Sequence, residues 1–186
     1  MSVFYKIKIN NLESIQSNTL SKIPLQDLKL TPTRLFYPEY NFLDDRDLLC
    51  ELDEYGLTNY IYGVAIFVLG PNMASPIHID GDLDYTWSLN IPLTNCENTR
   101  TSFYQSNQTP TRKKSPNSNI EYSVFSPELC SLLASIELND AYLMNVSVPH
   151  RIYNPNPTQR TSICIRLKST FDIDTILERL HMKEGG

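Results

Sequence analysis

The chain is poor in the residues that build sites by sheer number. Of its 186 residues only three are histidine (His78, His150 and His181) and four are cysteine. Cys50, Cys96, Cys130 and Cys164 lie far apart and form no CxxC pair, which argues against a structural zinc site and against a disulfide framework. Free thiols in a reducing cytoplasm are expected. No apolar run approaches the roughly 20 residues needed to span a bilayer. The first nine residues, Met1 to Ile9, alternate like a strand and lack the apolar segment and cleavage site of a signal peptide. Positive charge is not in excess either: the formal charge of −5 gives no global attraction to nucleic acid or to an anionic membrane surface. There is no internal repeat. These absences predict a cytoplasmic chain with no membrane partner.

What is present points to a folded, strand-rich protein. Hydrophobic residues make up 41% and charged residues 20%, the balance of a globular chain rather than a disordered one. Eleven tyrosines and twelve prolines favour strands and turns over a helical bundle. The length fits a single domain over 1–186, with a core at about 60–168, an N-terminal strand and helices in 1–59, and a C-terminal helix at 172–182. In the first part a helix is expected to start at Asp44 or Asp45, to carry Leu48, Leu49, Leu52 and Tyr55 as its apolar stripe, and to stop at Gly56. The run from Tyr60 to Leu69 is too apolar for an exposed edge and reads as a central strand ended by Gly70-Pro71-Asn72. Short strands follow at 75–80, 85–92, 101–105, 122–125, 132–138, 141–146, 148–153 and 161–168. Asn139-Asp140 reads as a hairpin turn and Asn154 to Pro157 as another tight reversal. The polar stretch from Gln105 to Asn119 reads as a mobile surface loop. At the end, Ile173, Ile176, Leu177 and Leu180 share one helix face, with His181 on the solvated side. Many short strands at this spacing indicate an all-β sandwich or barrel.

Within that pattern His78 and Asp80 stand two apart on a strand, so both project to one face while Ile77 and Ile79 project to the other. Gly81 lets the chain turn away from them. A facial set of three ligands needs a third from another strand, and His150 is the candidate. Two histidines and one carboxylate suit non-haem Fe(II) with open positions for O2 and a chelating co-substrate. Zinc is the competing metal, although it more often takes three histidines or a His2Glu set. Further along, Arg160, Ser162 and Cys164 share one face of a strand, and Thr161, Ile163, Ile165 and Leu167 the other. An inward-facing Arg160 with Ser162 two residues on would clamp a carboxylate. An outward-facing Arg160 would be only a surface ion pair beside a turn.

His78-x-Asp80, then His150, then Arg160-x-Ser162 resembles, in order, the signature of the Fe(II)/2-oxoglutarate-dependent oxygenases. The ten-residue step from His150 to Arg160 is usual for that family, and the stretch from Ser75 to Leu93 looks like the metal-binding half of its double-stranded β-helix. The resemblance spans about Tyr60 to Lys168. It implies a mainly β fold, a jelly-roll or cupin-like core with flanking helices. It implies that His78, Asp80 and His150 hold Fe(II), that Arg160 with Ser162 binds the far carboxylate of 2-oxoglutarate, and that O2 is the oxidant. The activity implied is hydroxylation or demethylation at a substrate C–H bond, and the aspartate at position 80 argues against the halogenating branch. Asn90, and Tyr62 on the preceding strand, are further candidates for contact with the co-substrate. Two other classes stay open: an inert β-sandwich binding module, and a cupin-like metal enzyme that does not use 2-oxoglutarate. The expected substrate is a small molecule, with peptide and nucleotide substrates not excluded. Its specificity would reside in the segments Asn11–Tyr40 and Gln105–Asn119. Arg112-Lys113-Lys114 in the latter is either a solvated cluster or a grip for an anionic substrate.

Overall fold

The computed structural model describes residues 2–23, 45–80, 85–114 and 121–184, with the backbone alone at 85, 175 and 180–184. Gly81, Asp44, most of the segment 11–40, residues 115–119 and the side chains of Leu180 and His181 lie outside the described residues. The architecture is mainly β, as expected: two antiparallel sheets face each other, with helices on the outside of one. In the first sheet the order is β1 (Phe4–Ile7), β10 (Ala141–Asn145), β5 (Tyr85–Thr94), β12 (Arg160–Lys168) and β2 (Ile61–Leu69). The second runs β7 (Thr111–Lys114), β8 (Glu121–Phe125), β4 (Ile77–Ile79), β11 (His150–Asn154), β6 (Arg100–Ser106) and β9 (Cys130–Glu137). The two-residue β3 (Met73–Ala74) also pairs with β11. Three helices complete the described chain: α1 (Leu12–Lys22), α2 (Arg46–Glu54) and α3 (Ile173–Glu184). None among the described residues is long and apolar enough to cross a membrane.

The first sheet is covered on both faces, and that explains its composition. Trp87, Leu89 and Ile91 of β5, Ile163, Ile165 and Leu167 of β12, and Ile66 and Val68 of β2 point outward into one cluster. There they meet Ile15 of α1, Leu48 and Leu52 of α2, and Ile173 and Ile176 of α3. Each such side chain contributes about 1.5–3 kcal/mol by leaving water, so the helical layer is held on by the even-spaced apolar stripe of the sheet. The opposite face of the same strands looks into the sandwich. A smaller cluster there joins Met144 of β10 to Phe103 of β6 and Ile136 of β9, with Phe4 of β1 stacked on Phe103 at 5.9 Å.

Helix α2 follows the local signals. Asp45 caps it, its carboxylate accepting from the backbone N–H of Leu48 at 3.0 Å. Gly56, at φ +68°, ends it. The Gly56 N–H donates to the Asp53 carbonyl and the Leu57 N–H to the Leu52 carbonyl, both at 2.8 Å, the paired bonds of a Schellman closure.

Several expectations are corrected. The apolar run at 61–69 is an edge strand among the described residues, bonded to β12 alone. Its hydrophobicity serves two covered faces, Ile66 and Val68 toward the helices and Ala65 and Phe67 toward the interior. Asn139-Asp140 is not a hairpin turn, because β9 and β10 belong to different sheets. Nor does 154–157 form a reversal within one ladder: it carries the chain from β11 to β12, across the sandwich. The fully buried Asn154 amide secures that crossing by donating to the carbonyls of Leu69, Gly70 and Thr158 at 3.2, 2.9 and 2.9 Å. Part of the segment expected as a mobile loop is strand: β6 continues to Ser106, and residues 111–114 form β7 against β8. Helix α1 lies in 1–59, where helices are expected, but the pattern sets no bounds for it. Its polar sequence buries only Ile15 and Thr19, too short a stripe to show a period.

Candidate functional site

His78 on β4 and His150 on β11 are direct cross-strand partners. Directly opposed residues share a face of the sheet, and both imidazoles enter the sandwich interior with ring centroids 4.5 Å apart. Each ring is oriented by its own strand. His78 Nδ1 lies 2.9 Å from the Pro76 carbonyl and His150 Nδ1 2.9 Å from the Val148 carbonyl. A carbonyl only accepts, so Nδ1 carries the proton in both rings and the Nε2 lone pairs are left toward the interior. Backbone acceptors of this kind fix the tautomer and direction of metal-binding histidines. Asp80 stands just past the end of β4, with one carboxylate oxygen 3.3 Å from His78 Nε2. Cis ligands of a six-coordinate ion sit about 3 Å apart, so that spacing suits two ligands of one metal. One ligand atom from each of His78, Asp80 and His150 lies within 4.8 Å of the others, and the three could hold a metal ion. The surroundings are largely dry: His78 is 1% exposed and His150 4%. The Tyr122 ring meets His78 edge-on at 6.1 Å, and Phe103 flanks His150 at 6.2 Å.

Arg160 enters the same space from the other sheet. It opens β12, where alternation turns Arg160, Ser162, Cys164 and Arg166 inward and leaves Thr161, Ile163 and Ile165 to the helical layer. The guanidinium is only 1% exposed, and its Nε and Nη1 have no hydrogen-bond partner among the described residues. Its surroundings are the Phe67 ring, 5.7 Å below the guanidinium carbon, and the Cys96 thiol. No carboxylate pairs with it among the described residues. Burial lowers its pKa, opposed by the neighbouring Cys96 sulfur; burial likewise raises the pKa of Cys96, opposed by the Arg160 charge. Ser162, fully buried two residues along the same face, also has an Oγ without a hydrogen-bond partner. A charge taken out of water costs several kcal/mol unless something compensates it. A buried guanidinium with two donors unpartnered among the described residues could therefore hold an anion.

One pocket joins most of these groups, though neither His78 nor Ser162 lines it. Asp80, His150, Asn90 and Arg160 all line a cavity of about 590 Å3 of empty space, counted to its open mouth. Asn90 is held by donating to the Ser88 carbonyl and hydroxyl at 3.2 and 3.3 Å. Tyr62 does not belong: it is 47% exposed and does not line the pocket. Alternation along β2 sets it in step with Ile66 and Val68, away from the interior, and the ladder with β12 is irregular beside it, stepping from Gly63 to Ile61. Sequence reasoning assigned no role to Arg166, Thr101, Phe103, Met144 or Ile152, which line the same pocket. Arg166 continues the inward alternation from Arg160 and was findable on that ground. Ile152 likewise continues the inward alternation from His150, whereas Thr101, Phe103 and Met144 face the pocket from two further strands that no local pattern links to it.

No protein-family model matches the sequence, and no curated protein matches it. Among solved structures the chain is similar to a prolyl-4-hydroxylase from Pseudomonas putida, at 11% identity and a TM-score of 0.46, over 92% of this chain and 88% of that one. It is also similar to an oxidoreductase of the 2OG-Fe(II) oxygenase family from Burkholderia pseudomallei, at 15% identity and a TM-score of 0.41, over 69% of this chain. A dTDP-4-dehydrorhamnose 3,5-epimerase from Elizabethkingia anophelis matches at 11% identity and a TM-score of 0.34, over 75% of this chain and 64% of the epimerase. This chain covers only 54% of the length of the Burkholderia protein.

Proposed function

We propose that the protein is an Fe(II)- and 2-oxoglutarate-dependent dioxygenase that hydroxylates or demethylates a C–H bond of a small molecule. The observation that carries this reading is the buried Arg160 guanidinium, with idle Nε and Nη1 donors, in the same pocket as Asp80 and His150 of the His78–Asp80–His150 cluster. The donor set fits the metal, because two imidazole Nε2 atoms and one carboxylate on one side leave open positions opposite. The orphaned donors fit the co-substrate, a dicarboxylate whose distal carboxylate Arg160 and the Ser162 hydroxyl would hold. Fe(II) and 2-oxoglutarate bound there supply the oxidation of an unactivated C–H bond by O2.

The protein's own residues do the rest. The Pro76 and Val148 carbonyls hold the two imidazoles in the tautomer that leaves Nε2 available. Arg160 anchors the co-substrate at a point fixed by the rigid β12 ladder, which sets how far its other end extends. Phe103, Met144, Val146 and Ile152 make the adjoining wall apolar and exclude water. Asn90 offers its carboxamide oxygen to the pocket, its nitrogen already engaged with Ser88.

The test is anaerobic addition of Fe(II) and 2-oxoglutarate, which should produce a visible charge-transfer band, followed by air and an assay for succinate. A protein that shows neither band nor succinate, and whose His78→Ala variant binds Fe(II) as well as the parent, is not such an oxygenase. If Arg160→Ala keeps a metal-dependent activity with no change in 2-oxoglutarate dependence, the site is a metal centre that does not use that co-substrate.

A further inference from the structure

The sheet that carries the two histidines continues beyond them. β8 lies against β4 with Val124 opposite His78, and β7 lies against β8 with Lys113 opposite Tyr122. Opposed residues in an antiparallel ladder share a face, as do residues two apart in one strand. The face therefore passes from His78 to Val124, from Val124 to Tyr122, and from Tyr122 to Lys113. Of the three consecutive cations Arg112, Lys113 and Lys114, the register puts Lys113 alone on the histidine side. Side-chain contacts agree: the Tyr122 ring meets His78, whereas Arg112 lies 3.5 Å from Glu121, its neighbour on the outer face.

We propose that Lys113 and Tyr122 select the substrate of this site: a small molecule with an apolar or unsaturated body and an oxyanion, carboxylate or phosphate, at one end. The proposal rests on the oxygenase reading, whose substrate it names. Lys113 is exposed and has no hydrogen-bond or ion-pair partner among the described residues, so its ammonium is available to a ligand. In a chain of net charge −5 the run at 112–114 is a local reversal of sign two strands from β4, which draws anions to that end of the sheet. Tyr122, half-buried between Lys113 and His78, offers a flat apolar surface for the body of the ligand. Strands are about 4.8 Å apart, so β7 stands roughly 10 Å from β4. An oxyanion on Lys113 thus leaves the far end of a one-ring molecule near the His78–His150 pair.

Phenyl phosphate, benzoate and neutral phenol serve as probes, their binding measured by ligand-observed NMR on protein without added metal. Phenyl phosphate or benzoate should bind more tightly than phenol, and the preferred anion identifies the oxyanion. Lys113→Ala should weaken the preferred anion about fivefold, the scale of one exposed ion pair. Lys113→Arg should restore it, and Arg112→Ala should change it by less than twofold. Tyr122→Ala should weaken phenol as well, while Tyr122→Phe retains it. Equal binding by Lys113→Ala and the parent, equal losses in Lys113→Ala and Arg112→Ala, or no binding at millimolar concentration each overturn the proposal. Since these readouts need neither iron nor turnover, their failure is separate from failure of the Fe(II)–2-oxoglutarate charge-transfer band.

Discussion

Replacing Arg160 with methionine separates a ligand-binding arginine from a structural one, because the two roles predict opposite effects on the empty protein. The guanidinium is 1% exposed, with idle Nε and Nη1 donors. Without an anion, the desolvation cost of several kcal/mol is offset, among the described residues, by the Phe67 ring and the Cys96 and Cys164 sulfurs. A desolvated cation–π contact of this kind contributes about 2 kcal/mol. Methionine fills similar space with no charge to desolvate, so the ligand-free Arg160→Met variant should be as stable as the parent or more so. At about 2–4 °C per kcal/mol for a chain of this size, its Tm should stay level or rise by a few degrees. With ligand the sign reverses. Removing the arginine leaves a buried carboxylate without its partner, a loss of about 3–5 kcal/mol, or roughly 100- to 4,000-fold in the Kd for 2-oxoglutarate. Arg160→Lys should fall between, since it keeps the charge and loses the two-pronged geometry. Calorimetric titration of metal-loaded protein under nitrogen, with thermal melts of the empty forms, measures both arms. A Tm lowered by more than about 5 °C together with an unchanged Kd would show that Arg160 holds the fold, and the carboxylate-clamp reasoning would be wrong.

Other consequences are as direct. His150→Ala and Asp80→Ala should each weaken Mn(II) binding, followed by electron paramagnetic resonance, by more than the roughly 10- to 100-fold that loss of an outer-shell partner costs; unchanged binding in either removes that residue from the ligand set. Cys50 is exposed, whereas Cys96 is buried with its thiol pKa raised by that burial. Iodoacetamide at neutral pH should label Cys50 in the native protein and reach Cys96 only after unfolding, as read by peptide mass spectrometry. The same shift sets a sign for stability: the folded chain keeps a thiol proton that the unfolded chain releases, so stability should fall as pH rises above about 9, and less so in Cys96→Ala. Gly56→Ala places a side chain at φ +68° against the Arg179 guanidinium and should cost about 1–2 kcal/mol in a denaturant titration.

Much of the site was legible in one dimension because strand alternation is a local property. His78 and Asp80 two apart, and Arg160 and Ser162 two apart, had to share faces once their segments were strands, whatever those strands met. The cap at Asp45 and the stop at Gly56 were equally local, set by a carboxylate reaching the third N–H and by a residue free to take positive φ. Tyr62 shows the limit of such reasoning. It was a candidate because its strand neighbours the site, yet alternation sets it in step with Ile66 and Val68, toward the helices, and the ladder with β12 is irregular beside it.

The amino-acid pattern by itself determined most of the strands, though not β7, which side chains stand together on each, and that two histidines, an aspartate and an arginine lay on faces of the right kind. Tertiary structure alone decided which sheet each strand joins. It turned Asn139-Asp140 and the 154–157 segment into crossings between sheets and placed the apolar 61–69 strand at an edge. It set His150 opposite His78 and brought Arg160 into their pocket from the facing sheet. The physical reason is that alternation carries two-fold information, inside or outside, whereas pairing depends on the burial and hydrogen bonding of residues far apart in the chain. The same division holds for Lys113: its charge is written in the sequence, and only the register across two ladders puts it on the histidine side.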